Sequence, residues 1–585
     1  MMKSFIYCFL ELKLGMGVDW VDFRIIGGII FVCAIVAVGA VLFYNSDTPE
    51  INNNPNITNN NTTNPTPSNN QLTLTLLSDN HLGHISGLLL GSSPDSIPGP
   101  SPSPGPTPDP MDHIIGVFDQ YVKSTFSKAS EAGLHGTAVV LIYKGKIVSM
   151  NTLGMRDLES GLPVTSDTLF LLASVTKTFS ATNVAQQVDK GLMHWNDTVN
   201  TYFNDPNEFD LYDPNAYNSL TIADCLKHTS GLPAAEGDPE VFTFNNSYFH
   251  MLYNQRFVLN TSALGTTHQY NNVMYALGGY SAAIANNKAW GDLIKEELLN
   301  PLGMNTSTTN LSDFLSSPNH ATHYITYYND SGSIIRTPSY PPALDEIGPA
   351  GSMGASINQL VNWLNFQLAG TGMFNGQRIL SENNLDATRT GYVYTDNKND
   401  TMYGYGWDID KTHISHAGTI PSSKAFINFY PSTGVGIAIL TNEGSMGDAF
   451  RMSVYKKLID LMNGDETSDF WPIFYNTYKP IYDPAPDNPT GPGDLNNYVG
   501  VYLNDFYGNI TIKLENDVLI SYYGCNKQPY NLNHWNDTTF AVRSNGDLLN
   551  FENLTDSKYQ QLITYVAPDY TVIPTNVTNT FNRTE

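Results

Sequence analysis

Residues 171–180 read LLASVTKTFS, and within them Ser174-Val175-Thr176-Lys177 sets a hydroxyl three residues ahead of an amine. If Ser174 opens a helix, the two side chains share a face one turn apart. A serine hydroxyl is a weak nucleophile near neutral pH, and a lysine held against it can activate it. A helix N-terminus would also favour the negative charge that develops during attack. The plainer alternative is a serine that caps a helix beside a solvated lysine. Flanking residues bear on the choice. Thr168–Ala173 is an apolar approach, and Val175, Phe179, Val184 and Val188 recur on one side of a predicted helix reaching Lys190. Gly191 is placed to stop it. Ser453-Val454-Tyr455-Lys456 has the same spacing but sits mid-run, with Phe450, Val454, Leu458 and Leu461 at helical intervals.

Further segments extend the pattern in order. Gly136–Lys146 (GTAVVLIYKGK) reads as a β-hairpin turning at Lys144-Gly145. Leu226–Pro233 (LKHTSGLP) reads as a loop, Tyr270-Asn271-Asn272 is a Tyr-x-Asn triplet, and Pro349–Met353 reads PAGSM. His416-Ala417-Gly418 precedes two strand-like runs. Singly these are weak, since Tyr202-Phe203-Asn204, Tyr327-Tyr328-Asn329 and Tyr502-Leu503-Asn504 also fit Tyr-x-Asn. Taken together and in sequence, they resemble the serine β-lactamase and penicillin-binding-protein superfamily, in its class C, DD-peptidase and esterase branch, over roughly residues 111–465. The resemblance implies a mixed α/β (α+β) fold: an antiparallel sheet flanked by helices, plus an all-helical region.

The same resemblance implies site roles. Ser174 would be the nucleophile, with Lys177 and Tyr270 as its catalytic partners, either of which could take the proton. Asn272, His416, Gly418 and Thr419 would meet substrate. The oxyanion hole would use the backbone N–H groups of Ser174 and Thr419. Many relatives carry lysine where His416 stands, and a histidine there would be expected to change charge around pH 6–7. That departure leaves peptidase, amidase and esterase activity open beside β-lactam hydrolysis. His228 is expected to be structural. A rival nucleophile, Ser352 in Ala350-Gly351-Ser352-Met353-Gly354, imitates the elbow of α/β-hydrolases. The preceding Leu344–Pro349 holds proline, glycine and two acids, which argues against the central strand an elbow needs.

Composition narrows the classes. A formal net charge of −26 over 585 residues provides no basic face to meet phosphates, so nucleic-acid binding is excluded. Neither the four cysteines nor the thirteen histidines fall at zinc-site spacings, so no metal or other cofactor is expected. Cys225, beside Leu226 in an apolar stretch, reads as a buried thiol.

Domain organisation follows from composition. Residues 1–24 form a cytoplasmic segment. Ile25–Tyr44 (IIGGIIFVCAIVAVGAVLFY) is uncharged and long enough to cross a bilayer as a helix. Lys3, Lys13 and Arg24 precede it, placing everything after it outside the cytoplasm. A cleaved signal peptide is the competing reading, given the small residues Ala37, Gly39 and Ala40. Residues 45–110, rich in Asn, Thr, Pro and Ser, are expected to be a disordered tether. Sequons at Asn56, Asn260, Asn305, Asn509 and Asn553 fit a secretory route. The hydrolase domain spans 111–465, a proline-rich linker 466–493, and a small all-β domain 494–575.

The expected protein is thus a membrane-anchored serine hydrolase acting on a small-molecule or peptide substrate. A non-catalytic surface or scaffold protein that keeps the fold is the alternative.

Overall fold

The computed structural model describes residues 110–395, 400–482, 484, 486–544, 546–565 and 580–584. The expected transmembrane segment and nearly all of the tether lie outside these residues. Among the described residues, no helix is long and apolar enough to cross a membrane.

The chain opens with helix α1 (Pro110–Ala132), then strands β1 (Gly136–Tyr143) and β2 (Lys146–Asp157). Lys144 and Gly145 both take positive φ, 48° and 79°, which the tight hairpin turn requires. Helices α2 (Thr176–Asp189), α3 (Asn272–Ala285) and α4 (Ile357–Ala369) belong to the long middle region. Strands β3 (Ile414–Ile420), β4 (Ser423–Tyr430) and β5 (Val435–Thr441) follow, and then helix α5 (Ser445–Met462). The sheet is antiparallel and nine-stranded. Its centre runs β3-β4-β5-β1-β2, with short strands continuing beyond both edges. First and last parts of the domain therefore meet in one sheet, β1 lying directly against β5.

Alternation along β1 explains why the sheet is covered on both faces. Val139 and Leu141 point to a core shared with α1 and α5, which holds Phe118, Val122, Phe450 and Leu458. Ala138, Val140 and Ile142 point the other way, to a core with Phe179 of α2 and Trp363 of α4. Each Val, Leu, Ile or Phe side chain among them contributes about 1.5–3 kcal/mol by leaving water. The Phe179 and Trp363 rings stack with centroids 4.0 Å apart, locking α2 against α4. The Ser453-x-x-Lys456 pair lies inside α5, where Ser453 is fully buried and donates to the Ala449 carbonyl at 2.7 Å.

One departure from expectation concerns a boundary. The stretch 466–493 is not linker throughout. Trp471–Tyr478 is a helix whose Pro472 sits in the first turn, where a missing N–H costs nothing. Trp471 is buried against the α1/α5 core. Gly406, at φ 80°, separates the two short strands Met402–Tyr403 and Asp408–Ile409.

The C-terminal part is a closed barrel of β6 (Gly500–Asn504), β7 (Gly508–Glu515), β8 (Val518–Tyr523), β9 (Tyr530–Asn536), β10 (Thr539–Val542), β11 (Asp547–Thr555), β12 (Lys558–Tyr565) and β13 (Thr580–Arg583). The last strand lies beyond residue 575 and closes the barrel by pairing with both β6 and β12. Its interior is aromatic: Tyr498 packs on Phe540, Phe551 and Tyr559. Phe244 of the helical region stacks on Tyr507 and Phe581 of the barrel, centroids 5.3 and 6.1 Å away.

Candidate active site

Ser174 does not open the α-helix. It occupies a 3-10 turn, Ala173–Val175, immediately before α2. Ala173 takes a positive φ of 47°, an unfavourable conformation for a residue with a Cβ. The surroundings over-determine it. Leu172 N–H donates to the Met353 carbonyl at 2.8 Å, and Met353 N–H donates to Thr176 Oγ1 at 3.2 Å. Within an otherwise buried run, Ser174 is the residue that reaches partial exposure. The cap of α2 is Val175, with no side-chain bond, so Ser174 is not a helix cap.

Lys177 is fully buried. Its Nζ donates to Ser174 Oγ at 3.1 Å, to Asn272 Oδ1 at 2.6 Å and to the Ala350 carbonyl at 2.8 Å. The same Nζ lies 4.8 Å from the centroid of the Tyr270 ring and 5.2 Å from that of Tyr275. The PAGSM segment thus has a concrete job: the Ala350 carbonyl anchors the lysine, and the one before it, of Pro349, accepts from Ser180 at 2.7 Å. Ser352 is fully buried and donates to the Thr309 carbonyl at 2.7 Å, far from any role as an exposed nucleophile.

Tyr270 and Asn272 flank Asn271, whose side chain caps α3 by accepting from Met274 N–H. His228 holds this corner. Its Nδ1 accepts from Asn271 N–H at 3.1 Å, and its ring lies against Tyr270 with centroids 4.2 Å apart. Burial, with nearby His268 and Lys177, keeps His228 neutral. Asn272 is not a free hydrogen-bonding group. Its Oδ1 meets Lys177, and its Nδ2 donates to both oxygens of Asp238, at 2.9 and 3.0 Å.

Strand β3 passes the serine turn. A Cβ on Gly418 would stand 2.0 Å from the Leu172 carbonyl oxygen, so only glycine lets the strand approach so closely. His416 is buried; its Nδ1 donates to the Ala417 carbonyl at 2.7 Å, leaving Nε2 to accept from Tyr403 Oη at 3.0 Å. Burial and the neighbouring Lys177 hold its pKa down to about 3. The charge change expected around pH 6–7 is therefore corrected: His416 is neutral and does not replace a lysine's charge. Thr419 is partly exposed. Its Oγ1 accepts from Arg451 Nη2 at 3.1 Å.

Two charged residues in this architecture escaped sequence reasoning. Asp238 lies in a stretch without a readable motif. Arg451 of α5 is buried, donates to the carbonyls of Gly418 and Ala425 at 3.0 and 2.9 Å, and pairs with Asp448 at 2.5 Å. Its helical position three residues after Asp448 was the available signal. Among the described residues, no group of three or more His, Cys, Asp or Glu side chains could hold a metal ion.

A half-buried serine, an enclosed lysine bonded to it and a tyrosine ring against that lysine thus meet in one place. The β-lactamase family profile matches residues 115–460, and a Domain of unknown function (DUF3471) matches 484–578. The chain belongs to the β-lactamase family, and at the level of that family it is a serine hydrolase. It is 25% identical over 439 residues to the "Unguisins hydrolase ungD'" of Aspergillus campestris, covering 68% of this chain and 77% of that protein. It is 25% identical over 352 residues to "Penicillin-binding protein 4" of Amycolatopsis lactamdurans, covering 57% and 87%. Its fold is similar to that of the octameric penicillin-binding protein homologue from Pyrococcus abyssi, with a TM-score of 0.52, 18% identity, and coverage of 78% of this chain and 94% of that one.

Proposed function

We propose that the chain is a membrane-anchored hydrolase that cleaves amide or ester carbonyls through an acyl-enzyme on Ser174. The observation that carries this reading is the 3.1 Å bond from Lys177 Nζ to Ser174 Oγ, made by a lysine that no water reaches. Ser174 Oγ attacks the carbonyl carbon, and its proton passes to the Lys177–Tyr270 pair. The tetrahedral oxyanion is received by the N–H groups of Ser174 and Thr419. Collapse expels the amine or alcohol, which takes the proton. Water then adds to the acyl carbon by the reverse route and releases the acid, restoring the hydroxyl.

A neutral His416 bears on substrate. Without a cation at that position, the site lacks one attraction for a substrate carboxylate, which favours esters and uncharged amides or peptides over β-lactams. The names of the relatives, a hydrolase and a penicillin-binding protein, agree with acyl chemistry of this kind. Residues 25–44 would hold the catalytic domain (111–465) and the barrel outside the cytosol, on the tether of 45–110.

A panel of chromogenic esters, D-amino-acid amides, D-peptides and β-lactams tests the reading, with Ser174→Ala as the blank. Turnover of at least one ester or amide, lost in Ser174→Ala, is the expected result. Turnover undiminished in Ser174→Ala, or no turnover of any substrate class, overturns it.

A further inference from the structure

The stretch 235–246 wraps the start of α3 and is fixed at both ends. Ala235 N–H donates to the Tyr270 carbonyl at 2.7 Å, and Gly237 takes a φ of 83° where a Cβ would stand 2.4 Å from Val273 Cγ2. At its far end, Asn246 Nδ2 donates to the Tyr507 carbonyl of the barrel at 3.2 Å. Between them Asp238 is almost completely buried, at 1% exposure, and both its oxygens accept from Asn272.

Asn272 is locked by its two neighbours. An ammonium only donates and a carboxylate only accepts, so the amide has one satisfied orientation: oxygen toward Lys177, nitrogen toward Asp238. Every member of this chain of bonds is buried, where an electrostatic interaction is strong and an unmatched charge is costly. Other titratable groups lie close to it. Burial keeps His228 and His416 neutral beside Lys177. On the Asp238 segment, burial pushes the Glu236 carboxyl up to about 7 and Glu240 well above its ordinary range. Of these three acids, it is Asp238 that touches Asn272.

We propose that Asp238 is the positioning residue of the Ser174–Lys177 pair: through Asn272 it aims the lysine amine at the serine hydroxyl and supplies the buried negative charge that faces it. This rests on the acyl-enzyme reading. Removing the charge alone weakens the hold on the protonated amine, and removing the side chain also frees the Asn272 amide to rotate.

The test uses the full chain with two variants. Asp238→Asn keeps the shape and an acceptor oxygen for Asn272 but loses the charge, whereas Asp238→Ala loses both. One readout is the pH profile of the second-order rate of labelling by a fluorophosphonate. The other is the titration of Lys177, followed by NMR on chain carrying 13C-enriched lysine and assigned by the signal missing in Lys177→Arg. In Asp238→Asn the Lys177 titration should move down by about one pH unit or more, as expected for a lost opposite charge. The labelling rate at pH 7 should fall about tenfold or more, and further in Asp238→Ala. A Lys177 titration unmoved in Asp238→Asn overturns the proposal, and so does labelling within twofold of the parent. If Asp238→Ala does not fold, the isosteric Asp238→Asn carries the test. If the parent chain itself does not label, the acyl-enzyme reading fails, and the Lys177 titration alone decides the assignment of Asp238.

Discussion

Gly418→Ala adds one methyl group at the place where β3 crosses the serine turn. That methyl carbon would stand 2.0 Å from the Leu172 carbonyl oxygen, about 1.4 Å short of the 3.4 Å at which ordinary contact begins. Retreat on the other side is limited, because the same carbon already lies 3.2 Å from Ala425 Cβ on β4. Nor can the strand slide freely, since Arg451 holds the Gly418 and Ala425 carbonyls together. The overlap must therefore be relieved by moving the Leu172–Val175 turn away from β3 by about an ångström, which separates the N–H groups of Ser174 and Thr419. Overpacking of this kind costs about 1–3 kcal/mol of stability. A misplacement of about 1 Å between reacting groups costs roughly a hundredfold in rate. Denaturant unfolding measures the first quantity and the second-order rate of fluorophosphonate labelling the second. A Gly418→Ala chain with parental stability and labelling within threefold of the parent would refute the reasoning.

Four further outcomes follow from the same geometry. Arg451→Met removes one of the two cations paired with buried Asp448, leaving Lys424 at 3.3 Å, and takes away a donor to two strand carbonyls, so unfolding should become easier by about 1–3 kcal/mol, read from denaturant melts. Phe244→Ala empties the place where the helical region enters the barrel and should cost about 3–5 kcal/mol, with limited proteolysis releasing the barrel between residues 479 and 493. Burial raises the folded-state pKa of Glu236 from the ordinary 4.5 to about 7. The folded state then binds more protons, so stability should fall as pH rises from about 4.5 to about 7, by up to about 3 kcal/mol. Calorimetry should find that slope flattened in Glu236→Gln. Because His416 is neutral above pH 4, His416→Gln should lower the labelling rate without removing any limb of its pH profile between 5 and 8.

The parts legible from sequence were those fixed by short-range periodicity. Ser174 and Lys177 sit three residues apart in the chain, so whatever turn they adopt keeps them close. The unbroken apolar run of β1 is what a strand buried on both faces requires, and Lys144-Gly145 announced its turn. Long-range partners left no such trace. Nothing local marks Asp238 as the group that meets Asn272, because the contact depends on a loop folding over the start of α3. The distinction between an α-helical start and the 3-10 turn at Ser174 rests on the positive φ of Ala173, and alanine gives no warning of it. Burial likewise hides in sequence: His416 reads as a titrating residue until its neighbours are placed. In the barrel, β9 (YNLNHWN) is polar enough to pass for a loop, and only its pairing with β8 and β10 makes it a strand.

The central claim is that Ser174 Oγ is the atom acylated during turnover. Peptide mapping by mass spectrometry, after reaction of the full chain with a fluorophosphonate ester, tests it most directly. The account predicts a single adduct on the peptide containing Ser174, absent from the Ser174→Ala chain. An adduct on Ser352, Ser453 or any other residue, or one that persists in Ser174→Ala, would contradict it.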